Sequence, residues 1–397
     1  MKDMKQKVVI IGKGYNNRLA LLRSLGESGY EISIIVLERT IKPIDSYSKY
    51  VTNCYWCPKQ TEEDLISVLM TKCVDEKQKV ILIPSEDFSV YVLDKNFNKL
   101  AKYFIFPNIN RTQGSVVNWM DKEKQKILAR TFGLNVAESN SIRIINGKFD
   151  IPSTIKYPCF TKPQSFVLDS KDSLHRCDSE KELKKVLSSI CKIHKNIVVM
   201  IEDYKQIERE YAVVGFSNNN EVIIPGVIEI LSISMGVANT GRIVPIDDYE
   251  EIINKIKLLI LEIGFVGIFD VDFYLSGGKY FFGEINFRYG GSGFAFCKRG
   301  INYPLMLVKT LLGETLENTK KEINTSSTFA NEQRCLVDWY CSNSTTKEFW
   351  QIINDSDIIN IIDDNDPVPY RLFKKRIEKL KIRRVVRKIV MYFIKRN

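Results

Sequence analysis

The chain is expected to be an α/β (α+β) protein that opens with a Rossmann-like lobe, and three stretches carry that expectation. The first is a strand at Lys7–Ile11, the turn Gly12-Lys13-Gly14, a helix with apolar residues at Leu19, Leu22 and Leu25, and a strand at Ile32–Leu37. That β-turn-α-β order belongs to parallel sheets. The second is Val80–Pro84, an apolar strand ending in Ser85-Glu86-Asp87, polar groups at the carboxyl edge where such sheets present ligand contacts. The third is Val266–Gly293, where the strand-like runs IFDVDFYL and KYFFGEINF flank Ser276-Gly277-Gly278 and read as a β-hairpin.

Taken in order, the first lobe closes with a short strand at Tyr103–Phe106. Asn118–Gly133 is then expected to be helical, with Ile127, Leu128 and Phe132 as its apolar side. Lys122 stands in its first turn against the macrodipole, which suits either an anion bound there or a solvated lysine. Tyr157–Pro163 is a short strand that fixes the direction of Lys162. A polar segment, Ser165–Ser179, leads to a helix at Glu180–Cys191, and Ile197–Ile201 is a buried strand running into Glu202-Asp203-Tyr204. Tyr211–Phe216 and Glu221–Glu229 are further strands, and Ser232–Arg242 reads as a glycine-punctuated loop. Tyr249–Ile263 is an amphipathic helix with Ile252, Ile256, Leu259 and Ile263 on one side, and Tyr303–Leu312 is a helix stopped by Gly313. Residues 314–370 read as polar and irregular.

In the hairpin, strict alternation puts Asp270 and Asp272 on one face of the first strand and Glu284 and Asn286 on one face of the second. Pairing would bring these oxygens together, which suits Mg²⁺ with nucleotide phosphates completing its shell. The same pattern also suits a hairpin whose acidic face meets water. Arg288, two residues on along that face, could hold an anionic substrate.

Composition bounds the remaining classes. With 44% hydrophobic and 11% aromatic residues the chain is globular rather than disordered. The net charge of +10 is local: Arg371–Asn397 holds twelve Lys or Arg against Glu378 alone, a local +11, so the other 370 residues sum to about −1. No nucleic-acid partner is expected, because a fold-wide cationic footprint is missing. Nine scattered cysteines and the lack of an N-terminal signal pattern point to a cytoplasmic protein. Cys54 and Cys57 have no second pair with zinc spacing, His175 and His194 lie in no ligand motif, and Asn17 stands where the third glycine of a dinucleotide fingerprint would fall.

Lys122, the Pro158–Pro163 strand with Lys162, the Met200–Tyr204 strand end, Glu210 and the set Asp272, Glu284, Asn286, Arg288 occur in the order seen in ATP-grasp enzymes, which residues 1–313 resemble. The sharpest part is Glu284-Ile285-Asn286-Phe287-Arg288 followed by Gly290-Gly291-Ser292, similar to the E-x-N-x-R ending of that family's metal-binding strand. The resemblance implies an ATP-grasp fold with a Rossmann-like lobe over 1–115, a lid lobe over 116–200, a metal-binding lobe over 201–315 and a C-terminal extension over 316–397. It implies that Lys122 and Lys162 contact nucleotide phosphates, that Glu202, Asp203 and Tyr204 sit at the adenine edge, and that Glu210 accepts from ribose hydroxyls. Asp272, Glu284 and Asn286 would hold Mg²⁺, or Mn²⁺ in its place. Arg288, with Lys162 as its partner in catalysis, would face the acceptor carboxylate and the tetrahedral intermediate.

Two features depart from the pattern. Asp270 stands where related peptide-forming ligases often carry a basic residue; it could touch a metal or an amine, or be structural. Gln164–Ser179 lacks the glycines that usually fold over the triphosphate, leaving Ser165, Ser170, Lys171 and Ser173 as substitute contacts. Within the family the chain looks like the carboxylate-amine ligases, most of all the D-aspartate ligase type and its relatives in envelope and polysaccharide assembly. The Asp366-Pro367-Val368-Pro369 loop is part of that likeness. Substrates would be small carboxylates and amines, nucleotide- or lipid-linked ones included. A bicarbonate-using carboxylase and a non-catalytic nucleotide-binding module are the alternatives, and a homodimer is left open. In the tail, Ile382, Val385, Val386, Ile389 and Phe393 line one side of a basic helix, which suits peripheral attachment to an anionic membrane surface or packing on the protein's own body.

Overall fold

The computed structural model describes residues 5–37, 42–166, 173–218, 221–234, 237–316, 319, 321–342 and 344–394, together with residue 220. Among these residues the strands form three sheets. The first is parallel and five-stranded, in the order Val51–Trp56, Glu31–Val36, Lys7–Gly12, Val80–Pro84, Phe104–Ile105. Its central strands are mostly apolar because helices and later parts of the chain cover both faces. The strand Val51–Trp56 carries polar residues among its apolar ones and was not foreseen.

The second sheet has four strands, ordered His175–Cys177, Cys159–Pro163, Ile197–Asp203, Ser139–Ile144. With the helix Glu180–Ile193 it encloses a core of its own, from Ile142 and Cys159 to Leu187 and Ile201. The third and largest sheet contains the strands Arg209–Ser217, Phe265–Ser276 and Lys279–Asn286 side by side. The helix Glu250–Ile263 lays Ile252, Ile256, Leu259 and Ile263 against it, as its spacing requires.

Four expectations need correction. The Asn118–Gly133 helix is two pieces, Ser115–Trp119 and Lys122–Thr131, because Asp121 caps the second by accepting from the backbone N–H groups of Glu123 and Lys124. Its buried side is Gln125, Lys126 and Ala129, while Ile127 is 53% exposed. The Glu221–Glu229 strand is broken at Pro225-Gly226 into Val222–Ile223 and Val227–Ser234. Ser232–Arg242 is mostly strand: Val237–Val244 pairs with Val227–Ser234, the irregular register near Ser232 absorbing the polar residues.

Residues 327–342 and 344–370 are likewise mostly regular rather than irregular. Ser327–Ala330 joins the large sheet beside Val237–Val244, and the helices Glu332–Cys341 and Thr346–Asn354 follow. This segment is stitched to the first lobe by Arg23 and Asp366, both buried, with Arg23 Nε donating to Asp366 Oδ2 at 3.0 Å. Asp366 also accepts from Ser48 Oγ at 2.7 Å and from the Lys49 backbone N–H at 3.1 Å. The last helix, Val368–Ile394, buries Phe373 and Ile377 in the same core, and Arg384 stacks over the Trp339 ring. Ile382 points to solvent at 69% exposure, on the other side from Phe373 and Ile377. The side chains of Val385, Val386, Ile389 and Phe393 lie outside the described residues. No described helix is long and apolar enough to cross a membrane.

Removing one partner of a buried, hydrogen-bonded ion pair strands the other charge. Asp366→Ala is therefore expected to lower stability by about 3–5 kcal/mol, read from the urea unfolding midpoint. A loss below about 1 kcal/mol, the range of solvated pairs, would show that Arg23 finds water instead.

Candidate functional site

The hairpin forms as its alternation predicts, with one added device. Asp270 lies opposite Asn286 and Asp272 opposite Glu284, but Phe273 lies opposite Phe282, so Gly283 is an extra residue in the second strand. Glycine is required there, since a Cβ would lie 2.8 Å from the Asp272 carbonyl oxygen. The bulge sets Glu284 directly across from Asp272.

Two like charges in that position repel. Desolvation by the surrounding protein raises the Asp272 pKa well above its ordinary value, and Asp270 and Glu284 add to it, although the residue is exposed. Asp270 is pushed up to about 6, first by burial, against the opposing pull of Arg288. Glu284 goes the other way: burial raises it, but Lys122 and Lys162 outweigh that and hold it low.

Lysines reach this face from two other elements. Lys122 Nζ lies 3.2 Å from Glu284 Oε2. The helix carrying it is pinned to the hairpin by Gln125, which donates to the Ile285 carbonyl at 3.0 Å and accepts from the Ile285 N–H at 2.8 Å. It is pinned to the second sheet by the Lys122 backbone N–H, which donates to the Gln164 carbonyl at 2.8 Å. Lys162, on the strand Cys159–Pro163, places Nζ 2.8 Å from Glu202 Oε1, and Lys126 places its own at 2.8 Å from the same oxygen. Burial lowers the Lys126 pKa. Burial raises that of Glu202, yet Lys162 and Lys126 together bring it below its usual value.

Arg288 closes the other end of the site. Its Nε donates to Asp87 Oδ1 at 3.0 Å, and its Nη1 lies 3.6 Å from Asp270 Oδ2. Asp87 opens the helix Asp87–Lys95, which Glu86 caps by accepting from the Ser89 and Phe88 N–H groups. The polar edge of the first sheet therefore serves the cleft through Asp87. Gln333 packs on the start of the helix after Gly12–Gly14: its Oε1 accepts from the Asn16 N–H at 3.2 Å, and a Cβ on Gly14 would lie 3.2 Å from its side chain. A dinucleotide pyrophosphate would need that helix end.

The structure thus brings Lys122, Lys162, Glu202, Asp272, Glu284 and Arg288 into one electrostatically coupled cleft. Glu210 is near enough to act on Asp272, and burial raises its own pKa. Asn286 sits one register position from Glu284, across from Asp270. Asp203 and Tyr204 lie at the strand end beyond Glu202; their N–H groups donate to the Glu138 and Pro158 carbonyls, so neither is left for a ligand. Of the substitute contacts, Ser165 donates to Asp121, and the Ser173 carbonyl accepts from Thr161. Ser170 and Lys171 lie outside the described residues. Sequence reasoning missed Lys126 and Gln125, and it named Asp87 as a polar group at the sheet's edge without foreseeing its pairing with Arg288. The first could have been found, because it stands four residues after Lys122 and so shares its helix face.

No group of three or more His, Cys, Asp or Glu among the described residues is placed to hold a metal ion. The cleft offers two facing carboxylates, Asp272 and Glu284, beside the amide of Asn286. That donor set fits Mg²⁺, which usually takes one or two protein carboxylates and fills its shell with phosphate oxygens and water.

No protein-family model matches the chain. Over 200 residues it is 28% identical to the carbamoyl phosphate synthase large chain of Clostridium botulinum (strain Loch Maree / Type A3), which is 48% of this chain and 18% of that protein. The chain thus spans under a fifth of this curated relative's length. The solved structures it resembles include N5-carboxyaminoimidazole synthetase from Staphylococcus aureus complexed with ADP, with TM-score 0.60, 15% identity and 83% of each chain covered. They include the L-amino acid ligase from Bacillus licheniformis, with TM-score 0.61, 13% identity, and 82% of this chain and 80% of that one covered. Biotin carboxylase from Campylobacter jejuni, as a beta-gamma-ATP complex, matches with TM-score 0.62, 18% identity, and 83% of this chain and 76% of that one covered. The chain has the ATP-grasp fold.

A carboxylate held low in the folded state stabilises the fold above its unfolded pKa, about 4.3 for glutamate, and loses that contribution as pH falls through the folded value. Glu202 is such a group. Thermal melts from pH 6 to 3 are expected to show the advantage of wild type over Glu202→Gln shrinking below about pH 4. A constant difference would mean that Lys126 and Lys162 do not depend on its charge.

Proposed function

We propose that the protein is an ATP- and Mg²⁺-dependent, ADP-forming carboxylate-amine ligase. One observation carries the reading: Lys122 contacts the hairpin carboxylate Glu284, Lys162 acts on the same carboxylate from its pairing with Glu202 on a second sheet, and Arg288 holds the hairpin's far end. Phosphoryl transfer needs positioned cations and an excluded solvent more than covalent help from the protein, and this cleft supplies the first. The fold it shares with the amino acid ligase, the carboxyaminoimidazole synthetase and biotin carboxylase supports the same class.

In this reading a substrate carboxylate oxygen attacks the γ-phosphorus of ATP and ADP leaves. The acceptor nitrogen then attacks the acyl carbon, phosphate departs, and the nitrogen loses its proton. Lys122 and Lys162 hold the phosphates, and Asp272, Glu284 and Asn286 would hold Mg²⁺, which would neutralise phosphate charge. Glu202 keeps Lys126 and Lys162 in place. Glu210 faces the ribose, and Glu202 to Tyr204 border the adenine. Arg288 orients the acid and stabilises the tetrahedral adduct.

A bicarbonate-using carboxylase is the second reading, favoured by the carbamoyl phosphate synthase and biotin carboxylase likenesses. The D-aspartate ligase likeness, with an acceptor from envelope or polysaccharide assembly, is a narrower proposal supported by the order of the lobes. Asp366 no longer contributes to it, being used to hold Arg23. Membrane attachment through 371–397 is supported by the tail's charge.

Incubation with Mg-ATP, pooled carboxylates and hydroxylamine is expected to give hydroxamates with ADP and phosphate. AMP with pyrophosphate would overturn the mechanism, and a strict bicarbonate requirement would favour the second reading. Glu284→Gln is expected to cut turnover by two orders of magnitude or more, roughly 3 kcal/mol of lost transition-state stabilisation. Unchanged turnover would remove Glu284 from the site.

A further inference from the structure

We propose that Glu332 is a proton-operated latch between the first lobe and the C-terminal segment: neutral, it lets the two seal, and ionised, it loosens them. Nothing in it depends on the reaction catalysed. Glu332 opens the helix Glu332–Cys341 and is fully buried. Neither of its carboxylate oxygens has a hydrogen-bond partner among the described residues. The Tyr15 hydroxyl, which the charge of Glu332 reaches, is buried without one too. A buried carboxylate in that state is costly, whereas the protonated acid has no charge to bury.

The charges around it leave no cation for this carboxyl. Of the arginines buried in the first lobe, Arg18 places Nε 2.7 Å from Asp45 Oδ2, and Arg23 places Nε 3.0 Å from Asp366 Oδ2. Arg23 also donates to the Asn360, Ile361 and Asp366 carbonyls, so its pull on Glu332 only partly offsets burial. From the last helix, Arg376 is exposed and acts on Tyr15, while Arg384 is engaged by the Ser342 and Ser344 carbonyls and the Trp339 ring. On its own helix Glu332 faces the Cys335 thiol, which Asp338 also acts on. The backbone N–H groups of Glu332, Asn360 and Ile361 pull on the carboxylate from outside hydrogen-bonding geometry. Burial outweighs them, and the carboxyl is pushed up to about 7. The residues on either side of Glu332 reach the cleft. Asn331 Nδ2 stands 4.0 Å from where a Cβ on Gly291 would lie, and Gln333 packs on Gly14. A shift at this helix start therefore moves contacts to two loops that border the site.

A carboxyl held high in the folded state takes up a proton on folding. Its contribution is present below the unfolded value, about 4.3 for glutamate, and is lost as pH rises through the folded one. Urea unfolding of the full chain at pH 5 and pH 8 reads this directly. Between the two, the folding equilibrium constant of wild type is expected to fall about tenfold or more beyond that of Glu332→Gln, which has no proton to lose. The comparison also cancels the titration of the cleft carboxylates, which both proteins share. In wild type alone, amide hydrogen-exchange protection over 327–342 is expected to fall across the same range relative to the helix Glu180–Ile193. This second measurement decides the matter if the glutamine variant fails to fold. Equal pH dependence of the two proteins would show a solvated, charged Glu332 and overturn the latch. Protection over 327–342 that keeps pace with the helix Glu180–Ile193 would overturn it as well.

Discussion

The repulsion between Asp272 and Glu284 is the constraint around which the cleft is arranged. Cross-strand register fixes the two carboxylates face to face, and the Gly283 bulge makes that register specific. Left alone, such a face would bind a proton or deform. Lysines from a helix and from a second sheet are instead brought to it, and each needs its own support: Gln125 and Asp121 for the helix, Glu202 for Lys126 and Lys162. The large sheet, the four-stranded sheet and the helix between them are thereby joined through charge, while their cores remain separate.

Much of the architecture was legible because period and punctuation agreed. The helix before Gly313 and the strand Val80–Pro84 have the bounds their apolar runs suggested, and the hairpin turned where its two glycines stand. Legibility failed where polar residues are buried for a reason that lies far away in the chain. Gln125 and Lys126 look like a solvated face until their partners are in place, the hairpin 160 residues later for Gln125 and Glu202, 76 residues later, for Lys126. Ile127 looked apolar and therefore interior, but one-dimensional spacing cannot say which side a charged cleft will claim. Residues 314–370 looked irregular because their strands are short and their helices begin with polar caps, Asn331 and Thr345.

The candidate site divides in the same way. Residues on strands, Lys162, Glu202, Asp272 and Glu284, are placed by period-two alternation that survives folding. Residues whose use depends on tertiary partners were not readable: Asp87 became an anchor for Arg288 only because the first sheet's carboxyl edge meets the hairpin's end. Glu86 looked like a ligand group and is a helix cap. Asp203 and Tyr204 have backbone donors that the neighbouring strands consume.

The Arg23–Asp366 pair has a consequence for biosynthesis. Its partners are 343 residues apart in the chain. A ribosome adding about 5–20 residues per second would take roughly 20–70 s to cover that interval. Throughout it the first lobe, whose sheet is otherwise complete by residue 105, would carry a cation meant for burial and an apolar surface meant for Phe373 and Ile377. The nascent chain therefore has a long interval in which the first lobe is shaped but unsealed, until Asp366 and the helix that follows it have been made.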